Sequence, residues 1–258
     1  MHTAAASIAL LLTLGLAAGC GGDDDSGEAE VASFVGVSWI VSSGVDLDLT
    51  GVKAAPSATF EAETVGGSTG CNRFTAPYTV DGDAMEIGTI ASTRMACPPP
   101  ADAVERAYLA ALGRVAGWRV DTSALVLVDD ADTEVLRYDE ATPTGEWQVT
   151  AFLSGDALSS PLPGAEISAS FAEDGTLTGS SGCNSYRAGF TTDGGSIEIE
   201  APASTQMACE EPGGVMDQEA AYLAALPTAV RYRVDGGSLA LLSADGTYVA
   251  SYTRATQP

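Results

Sequence analysis

The sequence predicts a mostly β, α+β fold of two tandem small antiparallel, partly open β-barrels, each packed against one α-helix. Three observations predict this fold. The chain contains a long internal repeat, each copy is rich in short apolar or alternating runs typical of strands, and each copy has one helical stretch. With 258 residues, of which 45% are hydrophobic, the chain is long enough for two domains with separate cores.

The repeat is visible in two short motifs. Ser-Thr-Gly-Cys-Asn at 68–72 returns as Ser-Ser-Gly-Cys-Asn at 180–184, and Thr-Arg-Met-Ala-Cys at 93–97 returns as Thr-Gln-Met-Ala-Cys at 205–209. Both motifs recur after 112 positions. This period is too long for one unit of a solenoid, so it indicates a duplicated domain. We place the two domains at 34–140 and 144–254.

Short runs with strand character follow one another along each copy. The residues 76–80 and 85–89 flank Asp81-Gly82-Asp83, which favours a hairpin turn. In the first copy the predicted strands are 38–41, 57–61, 76–80, 85–89, 117–121, 125–128 and 134–138.

One amphipathic helix is predicted near the end of each copy. Asp102 and Glu105 have the spacing of a capping box, which places the start of the first helix here. A second helix is expected around Glu219 and Tyr222, and Pro227 ends it. In the first helix the apolar face is predicted to hold Val104, Tyr108, Ala111, Leu112 and Val115.

The N-terminal residues have the features of an export signal. Residues 3–19 carry no charge, and the apolar run 8–16 has the length of a signal-peptide core but is too short to span a bilayer. The end of this segment, Leu16-Ala17-Ala18-Gly19-Cys20, resembles the lipobox of bacterial lipoproteins. We therefore expect a signal peptide at 1–19, lipidation of Cys20 and an acidic tether at 20–33. The alternative is a soluble secreted protein cleaved nearby.

Charge and composition exclude several classes of function. A net charge of −24 argues against a nucleic-acid partner, because the phosphate backbone would be repelled. The only histidine is His2, which lies in the segment expected to be removed. The mature chain would therefore lack the imidazole that Ser-His-Asp and Cys-His catalysis require, and it would lack histidine metal ligands. We expect neither a metal nor a cofactor.

Four cysteines remain after the lipidated one, and they allow three pairings. Duplication favours Cys71–Cys97 and Cys183–Cys209, since a single ancestral copy would hold one such bond. Redox or persulfide chemistry, reduced thiols and a zinc site formed by all four cysteines are the alternatives, although the spacing fits neither a Cys-x-x-Cys motif nor a zinc knuckle.

The two motifs, followed by Glu and Tyr-Leu-x-x-Leu, resemble the META domain of heat-shock lipoprotein-like proteins of bacterial envelopes. The residues that carry the resemblance are Gly70, Cys71, Asn72, Thr93, Met95, Ala96, Cys97, Glu105, Tyr108, Leu109 and Leu112, and then Gly182, Cys183, Asn184, Thr205, Met207, Ala208, Cys209, Glu219, Tyr222, Leu223 and Leu226. The resemblance implies a small, partly open barrel crossed by a helix, and an envelope or secreted protein linked to stress and antibiotic tolerance. It implies no catalytic mechanism.

The repeated motif has a structural and a functional interpretation. Structurally, Gly-Cys-Asn predicts a corner between strand and turn, with glycine in an unusual backbone conformation and asparagine capping nearby N–H groups. Threonine then belongs to a strand and methionine fills the core. Functionally, the motif forms a recognition site around the asparagines. The residues concerned are Gly70, Asn72, Thr93, Met95, Gly182, Asn184, Thr205 and Met207.

The sequence as a whole favours a non-enzymatic, lipid-anchored envelope protein with a binding or stress-tolerance role, expected in the outer membrane. Besides the membrane itself, the expected partner is a basic envelope or exogenous protein, since acidity attracts cations. One alternative is an inhibitor of a basic hydrolase such as lysozyme. Another is a carboxylate-dependent hydrolase, for which Glu198 and Glu200 on one predicted strand face are an example of a carboxylate pair.

Overall fold

The computed structural model describes residues 34–255. The predicted signal peptide at 1–19, the predicted lipidation site Cys20 and the tether at 20–33 lie outside the described residues. Neither helix of the described chain has the length and apolar character needed to cross a bilayer.

The first domain contains nine strands and one helix. They are β1 (Ser38–Gly44), β2 (Ser57–Phe60), β3 (Thr64–Ser68), β4 (Arg73–Asp81), β5 (Ala84–Ile87), β6 (Ala91–Ser92), α1 (Ala101–Leu112), β7 (Gly117–Asp121), β8 (Ala124–Val128) and β9 (Glu134–Glu140). Eight strands form an antiparallel ring in the order β3-β2-β1-β9-β8-β7-β5-β4, and the β3–β4 pairing closes it. The short strand β6 adds to β4 outside the ring.

The second domain repeats this arrangement. Its elements are β10 (Gly145–Ser154), β11 (Ala157–Ser159), β12 (Ser168–Phe171), β13 (Thr176–Ser180), β14 (Ser185–Asp193), β15 (Ser196–Ile199), β16 (Ala203–Ser204), α2 (Val215–Ala225), β17 (Arg231–Asp235), β18 (Ser238–Leu242) and β19 (Tyr248–Arg254). A 3-10 turn at Leu226–Thr228 follows α2. The ring runs β10-β12-β13-β14-β15-β17-β18-β19, and the β19–β10 pairing closes it.

The mostly β, α+β fold with one helix in each copy is confirmed, and the structure adds that both rings are complete. The narrowest junction lies between β5 and β7, where Ala84 pairs with Gly117 alone. Two flanking backbone bonds, Met85 N–H to Ala116 C=O at 3.1 Å and Trp118 N–H to Asp83 C=O at 2.9 Å, extend it. The second domain has the same short junction at Ser196 and Arg231. The predicted partial opening therefore corresponds to a short but closed seam.

Each ring encloses its own hydrophobic core, and the helix contributes one face to it. In α1 the buried residues are Val104, Tyr108, Ala111 and Leu112, as the helical periodicity predicts. Val115, the fifth residue predicted for this face, lies beyond the end of the helix at Leu112 and is half-buried. The largest fully buried side chains of the two cores are aromatic or long aliphatic ones, among them Phe34, Phe60, Tyr108, Tyr138, Trp147, Phe171, Tyr222 and Tyr232.

Strand β3 was not predicted from sequence, because Gly66-Gly67 has the composition of a turn. The structure shows why glycine is required inside this strand. A Cβ on Gly67 would lie 2.0 Å from the backbone oxygen of Ser57, and a Cβ on Gly179 would lie 2.0 Å from that of Ser168. Close approach of neighbouring backbones, rather than a turn, accounts for these glycines.

The predicted capping box at α1 is wrong. Pro100 occupies the N-cap position, and no side chain caps the helix. Glu105 instead points toward Thr69 and Asn72 in the corner between β3 and β4. The carboxylate therefore joins the helix to the barrel wall rather than to its own first turn.

The two barrels contact each other through residues of β1, β2 and β4 and Glu61 in the first and through β17 in the second. The Val234 N–H donates to Ser38 Oγ at 3.2 Å. Asp235 accepts from Ser57 Oγ at 2.8 Å and pairs with Arg73 at 2.5 Å. A second ion pair joins Arg233 to Glu61. Polar contacts thus dominate this junction, although Ile40 of β1 also packs against the second core.

Candidate functional site

Both predicted disulfides are formed. Cys71 is bonded to Cys97 and Cys183 to Cys209, with Cα atoms 6.0 Å apart in each pair. The alternatives of reduced thiols and of a zinc site are therefore wrong. The two sulfurs of the first bond lie close to the Glu105 carboxylate, but a disulfide has no thiolate to offer a metal ion.

The Gly-Cys-Asn motif forms the corner between two ring strands in each domain. Gly70, between β3 and β4, has φ +88°, and Gly182, between β13 and β14, has φ +107°. This is the left-handed region that glycine enters without steric cost. A Cβ on Gly70 would also lie 2.9 Å from the Ala54 carbonyl oxygen. The corner brings the following asparagine side chain beneath the loop that ends in the second cysteine.

In the first domain, Asn72 binds the backbone of that loop through both ends of its amide. Its Oδ1 accepts from the Met95 N–H at 2.7 Å and from the Thr93 hydroxyl at 2.8 Å. Its Nδ2 donates to the Met95 carbonyl at 3.2 Å and to Glu105 Oε2 at 2.8 Å. The Asn72 side chain therefore pairs with Met95 as a neighbouring strand would, rather than capping nearby N–H groups.

The second domain repeats the pairing. Asn184 Oδ1 accepts from the Met207 N–H at 2.8 Å and from the Thr205 hydroxyl at 2.7 Å. Asn184 Nδ2 donates to the Met207 carbonyl at 3.0 Å and to Glu219 Oε1 at 2.9 Å. Asn72 and Asn184 are only 2% and 1% exposed, so the amide groups contact the protein and not solvent.

A glutamate from the helix completes each network. In the first domain Glu105 Oε2 also accepts the Thr69 hydroxyl at 2.9 Å. In the second, Glu219 Oε2 accepts the Ser181 hydroxyl at 2.6 Å and the Asn184 backbone N–H at 2.9 Å. Both glutamates were recognised as motif residues, but Glu105 was predicted to cap the helix and Glu219 was predicted only to lie within it. The available signal was that both copies have a glutamate one helical turn before the tyrosine of the motif.

The methionines of the motif are on the surface, and their prediction as core residues is wrong. The side chains of Met95 and Met207 are 61% and 56% exposed. Thr93 and Thr205 directly follow the two-residue strands β6 and β16, and their hydroxyls bind the asparagines. Because the asparagine amide occupies the backbone N–H and C=O of each methionine, the methionine side chain is left to point outward.

We name these two segments, Thr93–Cys97 and Thr205–Cys209, the methionine loops. Each is fixed at its start by the asparagine and at its end by the disulfide. The arrangement presents one flexible, polarizable thioether on an otherwise fixed backbone in each domain.

The family model of the META domain matches residues 32–143 and, a second time, residues 140–256. The chain belongs to the META domain family. The two matches lie in tandem and contain the two rings described above. A search of curated proteins finds no match.

Two solved structures are similar to parts of this META domain chain. An NMR structure of a protein from Burkholderia xenovorans is 24% identical, with a TM-score of 0.37, and covers 51% of this chain and 99% of its own. A crystal structure of a DUF4847 family protein from Bacteroides vulgatus is 18% identical, with a TM-score of 0.31, and covers 45% of this chain and 95% of its own.

Buried tyrosines link the helix to the ring inside each META domain. In the first, the hydroxyls of Tyr108 and Tyr138 are 2.9 Å apart. In the second, Tyr222 lies between Tyr186 at 3.0 Å and Tyr252 at 3.3 Å. Burial raises the pKa of all five well above the ordinary value of 10.0. These phenols therefore stay protonated at neutral pH and serve packing and hydrogen bonding.

The carboxylate pair considered from sequence lies at the surface. Glu198 is an outward-facing residue of β15, Glu200 follows the strand, and both are exposed. The best-enclosed carboxylate of the motif, Glu219, is 6% exposed and accepts three hydrogen bonds from Ser181 and Asn184. Its oxygens are thus occupied by groups of the protein.

Proposed function

We propose that the protein is a non-catalytic binding module of the bacterial envelope that contacts a partner protein through Met95 and Met207. One observation carries this proposal. In both domains a buried network of asparagine, glutamate and hydroxyl groups holds the backbone of the methionine loop, and the methionine is left exposed. A single exposed methionine is unremarkable, but the same support beneath two of them favours a contact surface.

The chemistry of the loops suits recognition. Fully satisfied buried networks rigidify the groups they hold, so the loop backbone is fixed before a partner arrives and little ordering is needed on binding. The thioether then adapts to an apolar pocket of the partner, because methionine has several rotatable bonds and a polarizable sulfur. The polar motif residues act as the support for this contact.

The charge of the chain favours a basic partner. A net charge of −24 steers a cationic protein toward the domains and makes association sensitive to salt. Apolar contacts at the loops would then determine how long the complex lasts. A basic hydrolase such as lysozyme is one protein with this chemistry, and inhibition of it is a direct assay of that alternative.

Lipidation at Cys20 and an outer-membrane location are part of the proposal, as is a role in stress tolerance, which the META family resemblance implies. The support for the anchor is the segment Leu16-Ala17-Ala18-Gly19-Cys20 and the polar, acidic stretch that follows it. We expect Cys20→Ser to accumulate unprocessed precursor and to abolish partitioning into detergent. Partitioning of the variant like the wild type would contradict the anchor.

The test of the binding role is crosslinking and capture from native envelopes with the double variant Met95→Gln/Met207→Gln. Glutamine keeps the length of the side chain and removes its apolar character. Leu158→Gln is the matched control, because Leu158 is 50% exposed but lies outside the methionine loops. We expect a defined partner with the wild type and the control, and its loss with the double variant. Equal capture by all three proteins would contradict the role of the methionines.

A further inference from the structure

A cleft of about 470 Å³ lies between the outer walls of the two barrels. On the first domain it is lined by β2, β3 and β4, and on the second by β17, β18, β19 and Thr150 of β10. The methionine loops are not among its lining residues. The cleft is therefore a separate site from the proposed protein contact.

The cleft lining is rich in hydroxyl groups. Thr64, Thr75 and Ser238 are exposed and Ser251 is half-buried, and all four line the space. Hydroxyls both donate and accept hydrogen bonds, so they match a ligand whose own groups do the same.

The charged residues of the cleft compensate one another. Arg73 pairs with Asp235, and Arg233 pairs with Glu61, in each case across the two domains. These are the four charged residues that line the space. Despite the strong negative charge of the chain, the cleft itself thus presents two cations and two anions, which favours neither an anionic nor a cationic ligand.

An aromatic ring lies at the cleft as well. Tyr248 is 47% exposed and lines the space together with the hydroxyl residues. An exposed tyrosine ring offers an apolar face with a polar edge. Such a face stacks on the C–H face of a sugar ring, while the surrounding hydroxyls meet its O–H groups.

From these observations we propose that the cleft binds a neutral oligosaccharide. The ring of Tyr248 packs against one sugar, and Thr64, Thr75, Ser238 and Ser251 hydrogen-bond to the sugar hydroxyls. Gly66 and Gly67 of β3 also line the cleft and bring no side chain into it, so beyond Thr64 this wall leaves room for a sugar ring. This inference goes beyond the proposed protein contact and stands independently of it, because the two sites share no residue.

The test is NMR titration of the protein with two neutral probes, a β-1,4-linked N-acetylglucosamine tetramer and a maltose-type tetramer. We expect at least one of them to bind at millimolar concentration, with shifts confined to the cleft. Tyr248→Ala should weaken binding about tenfold, which corresponds to the loss of one stacking contact. Thr75→Trp, an exposed position in β4, should abolish binding by filling the space.

Leu158→Ala is the matched control, because it removes an equally exposed apolar side chain outside the cleft. It should bind like the wild type. Absence of binding by both tetrasaccharides, shifts outside the cleft, or unchanged affinity in Tyr248→Ala and Thr75→Trp would each overturn the proposal. Preferential binding of a charged peptide in the cleft would overturn the assignment to a neutral glycan. Loss of partner capture in Met95→Gln/Met207→Gln bears only on the protein contact.

Discussion

The second META domain buries its motif carboxylate, whereas the first leaves it partly exposed. Glu219 is 6% exposed and binds the Asn184 backbone N–H directly. In the first domain, Glu105 is half-buried and the Asn72 backbone N–H donates to Thr69 Oγ1 at 2.9 Å instead. What does not change is the pairing of the asparagine amide with the methionine backbone. The asparagine–methionine pairing that holds the loop is thus the same in both copies, whereas the hydrogen bonds around the glutamate differ.

The two domains also differ where they meet. Val234 of the second domain is 1% exposed, whereas Val120, at the corresponding position of the first, is 40% exposed. Of the first-domain residues that make these polar contacts, Ser57 has a like counterpart in Ser168 of the second domain, whereas Ser38, Glu61 and Arg73 have none. In their places it has Glu146, Ala172 and Ser185. The contact is heterologous, and most of the polar groups with which the first domain receives the second are absent from the second.

The largest difference between the domains is expected at alkaline pH. Burial raises the pKa of Tyr186, Tyr222, Tyr232 and Tyr252 in the second domain, but in the first it does so strongly only for Tyr108 and Tyr138. The unfolded chain releases these protons near pH 10 while the folded chain keeps them. Stability is therefore intact below pH 10 and falls above it, by about 1.4 kcal/mol per tyrosine for each pH unit.

Amide hydrogen exchange resolved by residue, measured from neutral pH to above pH 10, checks this expectation. The second domain should lose protection first. Loss of protection in the first domain at lower pH than in the second would contradict the comparison.

Removal of a disulfide should affect the two domains equally. Each bond joins cysteines 26 residues apart, so each restrains the unfolded chain to the same extent. Cys71→Ser/Cys97→Ser and Cys183→Ser/Cys209→Ser should each lower the free energy of unfolding of their own domain by about 3–4 kcal/mol in the loop-entropy model. Denaturant titrations of both double variants measure this. A difference above about 2 kcal/mol would show that loop closure is not the main contribution.

Removal of the motif glutamate should destabilise the second domain more than the first. Glu219→Ala removes three buried hydrogen bonds and leaves the Asn184 backbone N–H without its acceptor, so it should cost about 3 kcal/mol. Glu105→Ala should cost about 1–2 kcal/mol, because it removes fewer hydrogen bonds at a more exposed position and the Asn72 backbone N–H keeps Thr69 as its acceptor. Urea denaturation of the two variants gives both values. Equal costs would contradict the expectation that the different hydrogen bonds of the two networks contribute differently to stability.

The smallest effect is expected at the methionines themselves. Met95→Gln and Met207→Gln alter exposed side chains, so each should change the free energy of unfolding by less than about 0.5 kcal/mol. Thermal unfolding of each variant beside the wild type checks this. A cost above about 1 kcal/mol in either domain would show that the methionine contributes to packing, as its prediction as a core residue implied.

Repetition made the chain easier to interpret than its composition alone. The duplicated cysteines predicted both disulfides, and the turn at Asp81-Gly82-Asp83 was predicted from its glycine and its flanking strands. These features depend on local chemistry or on comparison of the two copies, both of which the sequence contains.

The features that escaped prediction depend on contacts between distant residues. The Gly66-Gly67 strand requires knowledge that the Ser57 backbone lies against it. Exposure of Met95 requires knowledge that Asn72, 23 positions away, occupies its backbone. Glu105 fits a capping pattern in the local sequence, but its carboxylate accepts a hydrogen bond from Thr69, which is distant in the chain. Closure of the ring through a single pairing at Ala84 and Gly117 is equally invisible in strand periodicity.

The most direct test of the account is amide hydrogen exchange at Met95 and Met207. Its central claim is that Asn72 and Asn184 hold the methionine loops from beneath and do not meet the partner themselves. We expect both methionine amides to be protected in the wild type, and Asn72→Ala and Asn184→Ala each to lose protection in their own loop while the ring strands stay protected. Unchanged protection at Met95 in Asn72→Ala would contradict the claim. It would favour the alternative in which the asparagines themselves form the recognition site.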